Sequence, residues 1–125
     1  MNRKLSLLAA LGLMTSIASG LHAHQMSEIY IPIGQSPGLS GTQTLIGEVL
    51  SVDSAQRTIE IQGPDGPQTV SVGDATFIWL DRSGSKRKNT YGSYADCKPG
   101  SRVEVKFADP EDRAKAEWIK VEVND

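Results

Sequence analysis

The sequence predicts a mostly β protein, a small barrel of five or six short strands preceded by an extended N-terminal arm. Short runs rich in Val, Ile and Thr follow one another from Thr42 onward. Turns that contain Gly and Pro separate these runs, and no segment has the periodicity of a helix of useful length. Cys97 is the only cysteine of the 125 residues. No disulfide can form within the chain, so packing alone must hold the fold.

The first 23 residues have the pattern of a secretory signal peptide. Arg3 and Lys4 precede a run of apolar residues, and small residues follow it up to Ala23. The apolar run is shorter than the roughly 20 residues that a membrane-spanning helix needs. We therefore expect an exported protein, periplasmic or secreted, with no stable membrane anchor. Cleavage after Ala23, or alternatively after Gly20, would release it.

The rest of the chain is long enough for one small domain. Residues 24–41 combine alternating isoleucines with a glycine-rich stretch, which predicts an extended arm and a linker, and residues 42–125 are the predicted barrel. Without Arg3 and Lys4 the chain has 11 basic against 15 acidic residues, a formal charge of −4. This acidic balance does not favour binding to nucleic acid or to anionic lipid.

Six strands can be placed from the alternation and the turn residues. They run over 44–52, 57–62, 68–72, 76–81, 102–107 and 117–123. Gly47 predicts a bulge or bend in the first strand. The sequence Gly63-Pro64-Asp65-Gly66-Pro67 is the strongest turn signal in the chain.

The last two strands are predicted to form a hairpin with one apolar face. The inward residues of this hairpin are Val103, Val105, Phe107, Ile119, Val121 and Val123, and the outward ones are Arg102, Glu104, Lys106, Trp118, Lys120 and Glu122. Opposite charges would then face each other across the pair. The run Phe77-Ile78-Trp79-Leu80 is nearly continuous in its apolar character, which predicts a strand covered on both faces.

A closed barrel of the OB type accommodates five or six short strands without exposed sheet edges. An immunoglobulin-type sandwich needs more strands than this chain has. The pattern is carried by Gly47-Glu48-Val49, Thr58-Ile59-Glu60-Ile61, Lys98-Pro99-Gly100-Ser101-Arg102-Val103-Glu104-Val105 and Trp118-Ile119-Lys120-Val121. It resembles the small OB-like β-barrel domains of uncharacterised exported bacterial proteins. The resemblance covers residues 42–123 and implies a fold.

The same skeleton is distantly similar to the periplasmic copper chaperones of efflux systems, which bind copper through a His, two Met and a Trp. Here His24 is the last histidine and Met26 the last methionine, so the barrel has no His or Met ligand, and Trp79 and Trp118 alone cannot hold a soft metal ion. A mature chain that begins at His24 would offer copper one amine and one imidazole, but a brace site needs a second His. We expect neither a metal nor another cofactor.

Catalytic machinery is not recognisable. The folded domain has no histidine to act as the base of a Ser-His-Asp or Cys-His arrangement. No Gly-rich loop precedes a helix to hold a phosphate, and the carboxylates that come in pairs lie in predicted turns. We therefore expect a protein that is not an enzyme.

Two segments could carry binding. The first is the basic loop with the tyrosines that follow it: Arg82, Lys86, Arg87, Lys88, Tyr91 and Tyr94. Cations beside aromatic rings can hold an anionic or sugar ligand, although the loop could also be merely solvated. The second is the arm, through Ile29, Tyr30, Ile31 and Ile33. The arm could add as a strand to an envelope or extracellular protein partner, or fold back onto its own barrel.

The sequence thus predicts a non-enzymatic exported binding or accessory module. Protein interaction or envelope assembly is the first hypothesis, and a barrel that binds a small ligand or glycan through residues 82–94 is the alternative. A periplasmic metal-binding protein is a third and less favoured hypothesis. Cys97 either packs as a small apolar residue or pairs with another molecule.

Overall fold

The computed structural model describes residues 28–124. The predicted signal peptide and residues 24–27 of the arm lie outside this range, as does Asp125. The described residues form seven strands: β1 Thr44–Asp53, β2 Thr58–Gly63, β3 Gly66–Ser71, β4 Phe77–Asp81, β5 Thr90–Tyr91, β6 Arg102–Asp109 and β7 Asp112–Glu122. Three single turns of 3₁₀ helix accompany them, at Glu28–Tyr30, Ser83–Ser85 and Tyr94–Asp96. The predicted all-β class is confirmed.

The strands close into a barrel. Their order in the sheet is β3-β2-β1-β6-β7-β4-β5, and a further pairing of β3 with β7, at Ser71 and Lys115, completes the ring. The eleven-residue β7 runs parallel to β3 near its start and parallel to β4 along its second half. β3 and β4 together therefore occupy one side of the barrel, interrupted at residues 72–76. Thr76 bridges this interruption by donating a 2.7 Å hydrogen bond to the carbonyl of Ala116.

The six predicted strands are present, with some differences at their ends. β3 begins at Gly66 rather than at residue 68, because Gly63 pairs with Gly66 and leaves only Pro64 and Asp65 in the turn. β7 begins at Asp112, since a two-residue turn joins it directly to β6. The seventh strand, β5, was not predicted, because two residues are too short to show a period.

Gly47 has a different role from the one predicted. The register shift between β1 and β2 lies between Val49 and Ser51, not at Gly47. A Cβ atom on residue 47 would come within 2.1 Å of the carbonyl oxygen of Gln62. The glycine is therefore needed because the backbone of β2 passes directly over it.

The barrel interior is apolar and closely follows the predicted inward set. Its fully buried members include Ile59, Ile61, Val70, Val103, Val105, Ile119 and Val121. From β4, Ile78 and Leu80 enter this core. Phe77 and Trp79 lie on the opposite face of the strand, where Trp79 is half-buried and Phe77 is exposed. The predicted cover on both faces of β4 is thus only partial.

The outer face of β6 and β7 is not solvated as predicted. Glu104, Trp118 and Lys120 point away from the core, yet all three are fully buried. The described part of the arm, residues 28–41, covers them, and its Ile29 and Ile33 are buried in turn. Alternation along a strand identifies the face of the sheet that a residue occupies, but it cannot show whether another segment covers that face.

The arm itself does not run as a strand where it is described. It begins with the 3₁₀ turn Glu28–Tyr30 and continues through further hydrogen-bonded turns to residue 43. Gly34, Gly38 and Gly41 all have positive φ angles, between 76° and 80°, which lets the chain turn tightly at each of them. Of the two conformations considered for the arm, the structure has the one folded back onto its own barrel.

Candidate functional site

Four aromatic rings from three segments of the chain meet at the surface. We call Tyr30, Phe77, Trp79 and Tyr91 the aromatic cluster. Trp79 of β4 is paired directly with Tyr91 of β5, and the centroids of their rings are 5.0 Å apart. Tyr30 of the arm also packs against Trp79, with 4.9 Å between the ring centroids, and its ring centroid is 6.4 Å from that of Tyr91. The interplanar angles of these two contacts are 79° and 83°, so both are edge-to-face.

The two tyrosines of the cluster are joined by their hydroxyl groups, whose oxygens are 2.6 Å apart. This hydrogen bond is the main cause of a raised pKa at Tyr91, and partial burial adds to it. The cluster nevertheless remains open to solvent, because Tyr30, Phe77 and Tyr91 are 48%, 41% and 53% exposed. Large apolar groups that stay this exposed in a contiguous group are typical of an interaction surface.

The predicted basic loop lies next to this cluster, since it connects β4 to β5. Lys86, Arg87 and Lys88 are exposed, and Lys86 adopts a left-handed conformation with φ of 59°. Arg82 is half-buried, and its guanidinium donates a 2.9 Å hydrogen bond to Thr90 Oγ1. The loop is held at its base by the Arg82 backbone amide, which donates to Asn89 Oδ1 at 2.7 Å.

Tyr94 does not belong to the cluster, although the sequence grouped it with Tyr91. It packs against the hydrophobic core, and its hydroxyl donates to the carbonyl of Thr58 at 2.8 Å. The Arg57 guanidinium lies over its ring, 5.2 Å from the centroid. Burial raises the pKa of Tyr94. These contacts give Tyr94 a structural role at the barrel.

The predicted partner-binding residues of the arm are also divided. Ile29 and Ile33 are buried against the barrel and Ile31 is half-buried, whereas Tyr30 is exposed. With the arm in this position, its backbone is not presented as a free strand. The structure therefore unites one residue from each predicted set, Tyr30 and Tyr91, with Phe77 and Trp79, which the sequence analysis assigned only to a strand.

A layer of buried charge lies between the arm and the barrel. Glu104 accepts three hydrogen bonds at its carboxylate: from the Gly34 amide at 2.9 Å, from Ser40 Oγ at 2.8 Å and from Thr44 Oγ1 at 2.8 Å. Its Oε1 lies 3.7 Å from Lys120 Nζ, and both side chains are fully buried. Two of the three donors come from the arm, so the carboxylate joins the arm to β6.

Asp81 makes a second such link at the end of β4. Its Oδ2 accepts a 2.9 Å hydrogen bond from the Ile33 amide, and its Oδ1 accepts from the amide and the hydroxyl of Ser83. Burial alone would raise the pKa of Asp81, but the hydrogen bonds from Ser83 and Ile33 outweigh it and the pKa is lowered. The ionised form of Asp81 is thus the one that this arrangement favours.

Lys120 is the member of this buried charged layer whose polar group has the fewest hydrogen bonds among the described residues. Among residues 28–124, its Nζ has no hydrogen-bond partner, and neither does the nearby Trp118 Nε1. The ammonium group lies 4.7 Å from the centroid of the Trp118 ring, a cation–π contact. Burial lowers the pKa of Lys120, and the neighbouring carboxylates of Glu104, Glu28 and Asp81 act in the opposite direction.

Other features of residues 28–124 lie outside the aromatic cluster. No group of three or more His, Cys, Asp or Glu side chains in this range could hold a metal ion. A cleft of about 580 Å³ lies beside the turn between β2 and β3, lined mainly by residues 41–46 and 63–68 together with Arg113. It shares no residue with the aromatic cluster. No helix in the described part of the chain is long and apolar enough to cross a membrane.

No known protein family and no curated protein matches this sequence. Among solved structures, a copper(II) form of a CusF variant from Escherichia coli is similar, with 15% identity and a TM-score of 0.43 over 62% of this chain and 88% of that one. The silver(I) form of CusF gives 16% identity and a TM-score of 0.43 over 62% of this chain and 93% of that one. The distant similarity of skeleton noted from the sequence is thus matched by a similarity of structure at low identity. It concerns the course of the backbone and says nothing about a ligand.

Proposed function

We propose that this protein is a non-enzymatic, exported binding module that recognises another protein of the envelope or the extracellular space through its aromatic cluster. The observation that carries the proposal is the meeting of Tyr30, Phe77, Trp79 and Tyr91 at an exposed surface. Exposing these rings to water is unfavourable for the isolated domain. A partner that covered them would recover that free energy.

The shape of the cluster favours a protein partner. Tyr and Trp are enriched among the residues that dominate binding energy at protein interfaces, because they bury a large area and lose little conformational freedom. Edge-to-face packing fixes the rings against one another before binding, which lowers the entropic cost of ordering them. Because Tyr30 and Tyr91 are both nearly perpendicular to Trp79, the three rings do not form one flat platform for a sugar ring.

The charge around the cluster indicates what the partner carries. Lys86, Arg87 and Lys88 belong to the loop that leads into β5, the strand of Tyr91, and the chain is acidic overall. A partner with acidic residues beside an apolar pocket would be attracted to this side of the barrel and would bind in one orientation. A cationic ligand is disfavoured by the same loop.

A glycan-binding barrel is the second candidate, and two features favour it. The exposed hydroxyls of Tyr30 and Tyr91 could exchange their mutual hydrogen bond for bonds to a sugar, and the three loop cations could hold its acidic groups. The exposed faces of the rings could stack on the apolar face of the sugar. This candidate needs the same residues, so the two are separated by the nature of the bound material.

The experiment is a pull-down from an envelope extract with the parent protein and three variants. Tyr91→Ala should abolish recovery of a specific protein, because it removes the most exposed ring of the cluster. Lys86, Arg87 and Lys88 all changed to Gln should mainly slow association and weaken the salt dependence of binding. Leu50→Ala is the matched control, since Leu50 is 42% exposed on β1 and outside the cluster.

Each outcome decides between the candidates. Loss of a protein with Tyr91→Ala and retention with Leu50→Ala would support the proposal. Loss of material that glycosidases digest, and proteases do not, would support the glycan candidate. Equal recovery by all the proteins would show that the aromatic cluster is not the binding surface.

Export is the other part of the proposal, and it rests on the pattern of residues 1–23. The intact mass of the protein recovered from the cell envelope should correspond to a chain that begins at His24. A mass that retains the first 23 residues would contradict export by this route.

A further inference from the structure

We infer that Glu104 and Asp81 are positioning residues for the aromatic cluster: they hold the arm on the barrel, and the held arm places Tyr30 against Trp79 and Tyr91. The significance of this device for binding rests on the function proposed above. The assembly of the cluster itself can be tested without a partner.

The anchoring contacts lie close to Tyr30 along the chain. The amide of Ile33 donates to Asp81 and the amide of Gly34 donates to Glu104, three and four residues after Tyr30. Ser40 Oγ adds a hydrogen bond to Glu104 further along the arm. Ile29, which directly precedes Tyr30, is fully buried. Apolar burial and charge-assisted hydrogen bonds therefore fix the backbone on both sides of Tyr30.

The anchors and the cluster belong to one face of the sheet. Glu104 pairs with Lys120, Lys120 pairs with Trp79, and Trp79 pairs with Tyr91. These residues form a row across four adjacent strands, on the outer side of the barrel. The described part of the arm lies over the buried half of this row and places Tyr30 at the exposed half, so the backbone of Tyr30 cannot move away from Trp79 unless residues next to the anchors move as well.

The buried charges make the docking of the arm close to a two-state process. With the arm in place, Glu104 and Asp81 receive their hydrogen bonds from arm donors in a site that excludes water. A partly lifted arm would leave a carboxylate buried without those donors, which is unfavourable. A fully lifted arm would let water reach the carboxylates and Lys120. With the arm docked the aromatic cluster contains Tyr30, and with the arm lifted it does not. A partner that contacts Tyr30 therefore favours the docked arm.

The test uses the full mature chain and two reporters. Acetylation of Lys120 by an amine-reactive ester reports lifting of the arm, because Lys120 is fully buried beneath it. A photo-oxidative dityrosine link between Tyr30 and Tyr91 reports the assembled cluster, since their hydroxyls are 2.6 Å apart. Lys115 is exposed and serves as the internal control for reagent activity.

Two variants lift the arm by independent means. Glu104→Gln removes the charge that receives the arm donors, and Ile29→Ser removes an apolar anchor without altering any strand. In both we expect the acetylation rate of Lys120 to rise by at least about tenfold and the Tyr30–Tyr91 link to be lost, while core amides of β1 and β2 stay protected from exchange. Tyr30→Phe is the matched control. It should lose the dityrosine link, because Phe cannot form it, and should keep Lys120 protected from acetylation, because the arm stays docked.

The results separate this inference from the proposed function. A folded Glu104→Gln variant that keeps both Lys120 protection and the tyrosine link would overturn the inference, and so would an Ile29→Ser variant that keeps both. So would a lifted arm that leaves the link intact. If both variants lift the arm and lose the link, the positioning role is supported. Envelope pull-downs then test the proposed function. Loss of the bound protein with these variants and with Tyr91→Ala supports the proposed function. Unchanged recovery of the bound protein with all variants rejects the proposed function and leaves the positioning role standing.

Discussion

Tyr30 and Tyr91 stand 61 positions apart in the sequence, yet their hydroxyl oxygens are 2.6 Å apart on the surface of the barrel. One belongs to the arm and the other to the short strand after the basic loop. Their contact joins the two segments that the sequence marked separately as candidates for binding. It also gives the candidate surface a property that can be measured in solution.

That property is the titration of Tyr91, whose pKa is raised above 10.0 chiefly by the hydrogen bond with Tyr30. Tyr30→Phe should lower the pKa of Tyr91 towards its ordinary value. Because the folded-state pKa is the higher one, the stabilisation is fully present below pH 10.0 and is lost as the pH rises through the folded pKa. Ultraviolet titration of tyrosinate in both proteins measures the change. An unaltered titration curve for Tyr91 would contradict the hydrogen bond.

The buried pair of Glu104 and Lys120 should respond unequally to substitution. Lys120→Met removes a buried charge, keeps the volume and leaves Glu104 with its three donors, so stability should stay within about 1 kcal/mol of the parent. Glu104→Leu should cost about 3–5 kcal/mol, because it removes the acceptor of three hydrogen bonds together with the carboxylate paired with Lys120. Urea unfolding measures both values. Similar losses at the two positions would show that the pair acts as a symmetric, net stabilising ion pair.

Cys97 should be unreactive in the folded protein. It is 2% exposed, and burial, with a smaller contribution from Asp96, raises its pKa to about 11. Thiolate is the reactive form of cysteine, so iodoacetamide should modify Cys97 at neutral pH only after denaturation. Mass spectrometry of native and urea-treated protein distinguishes these states. Rapid modification of the native protein would favour the alternative in which Cys97 pairs with another molecule.

Gly47 should tolerate no side chain. In Gly47→Ala the new methyl group would lie 2.1 Å from the Gln62 carbonyl oxygen and 2.8 Å from the Ile61 side chain, so β1 and β2 would have to separate. We expect the free energy of unfolding to fall by about 4 kcal/mol or more, among the larger effects of single substitutions, or the variant to fail to fold. Gly73→Ala is the control, because its nearest neighbour lies at 4.0 Å. Thermal unfolding that shows equal midpoints for both variants would argue against this close approach.

The all-β class, the positions of six strands and most of the barrel core can be predicted from local patterns in the sequence. These features depend on local alternation and on turn residues, and both are visible within a few positions of the chain. Ile59, Ile61, Val103 and Val105 point inward because alternate residues of a strand share a face and apolar side chains leave water. The absence of histidine and methionine from the barrel is likewise a property of the sequence alone.

The burial of polar residues and the contacts between aromatic residues depend on how distant segments fold together. Glu104, Trp118 and Lys120 have the alternation of a solvated face, and they are buried because a segment some 60 to 90 positions away folds over them. The sequence grouped Tyr94 with Tyr91, but successive turns direct one to the core and the other to the surface. Trp79 joins Tyr30 and Tyr91 through one strand pairing and one packing contact. Such long-range contacts arise from the closure of the barrel, which no local pattern encodes.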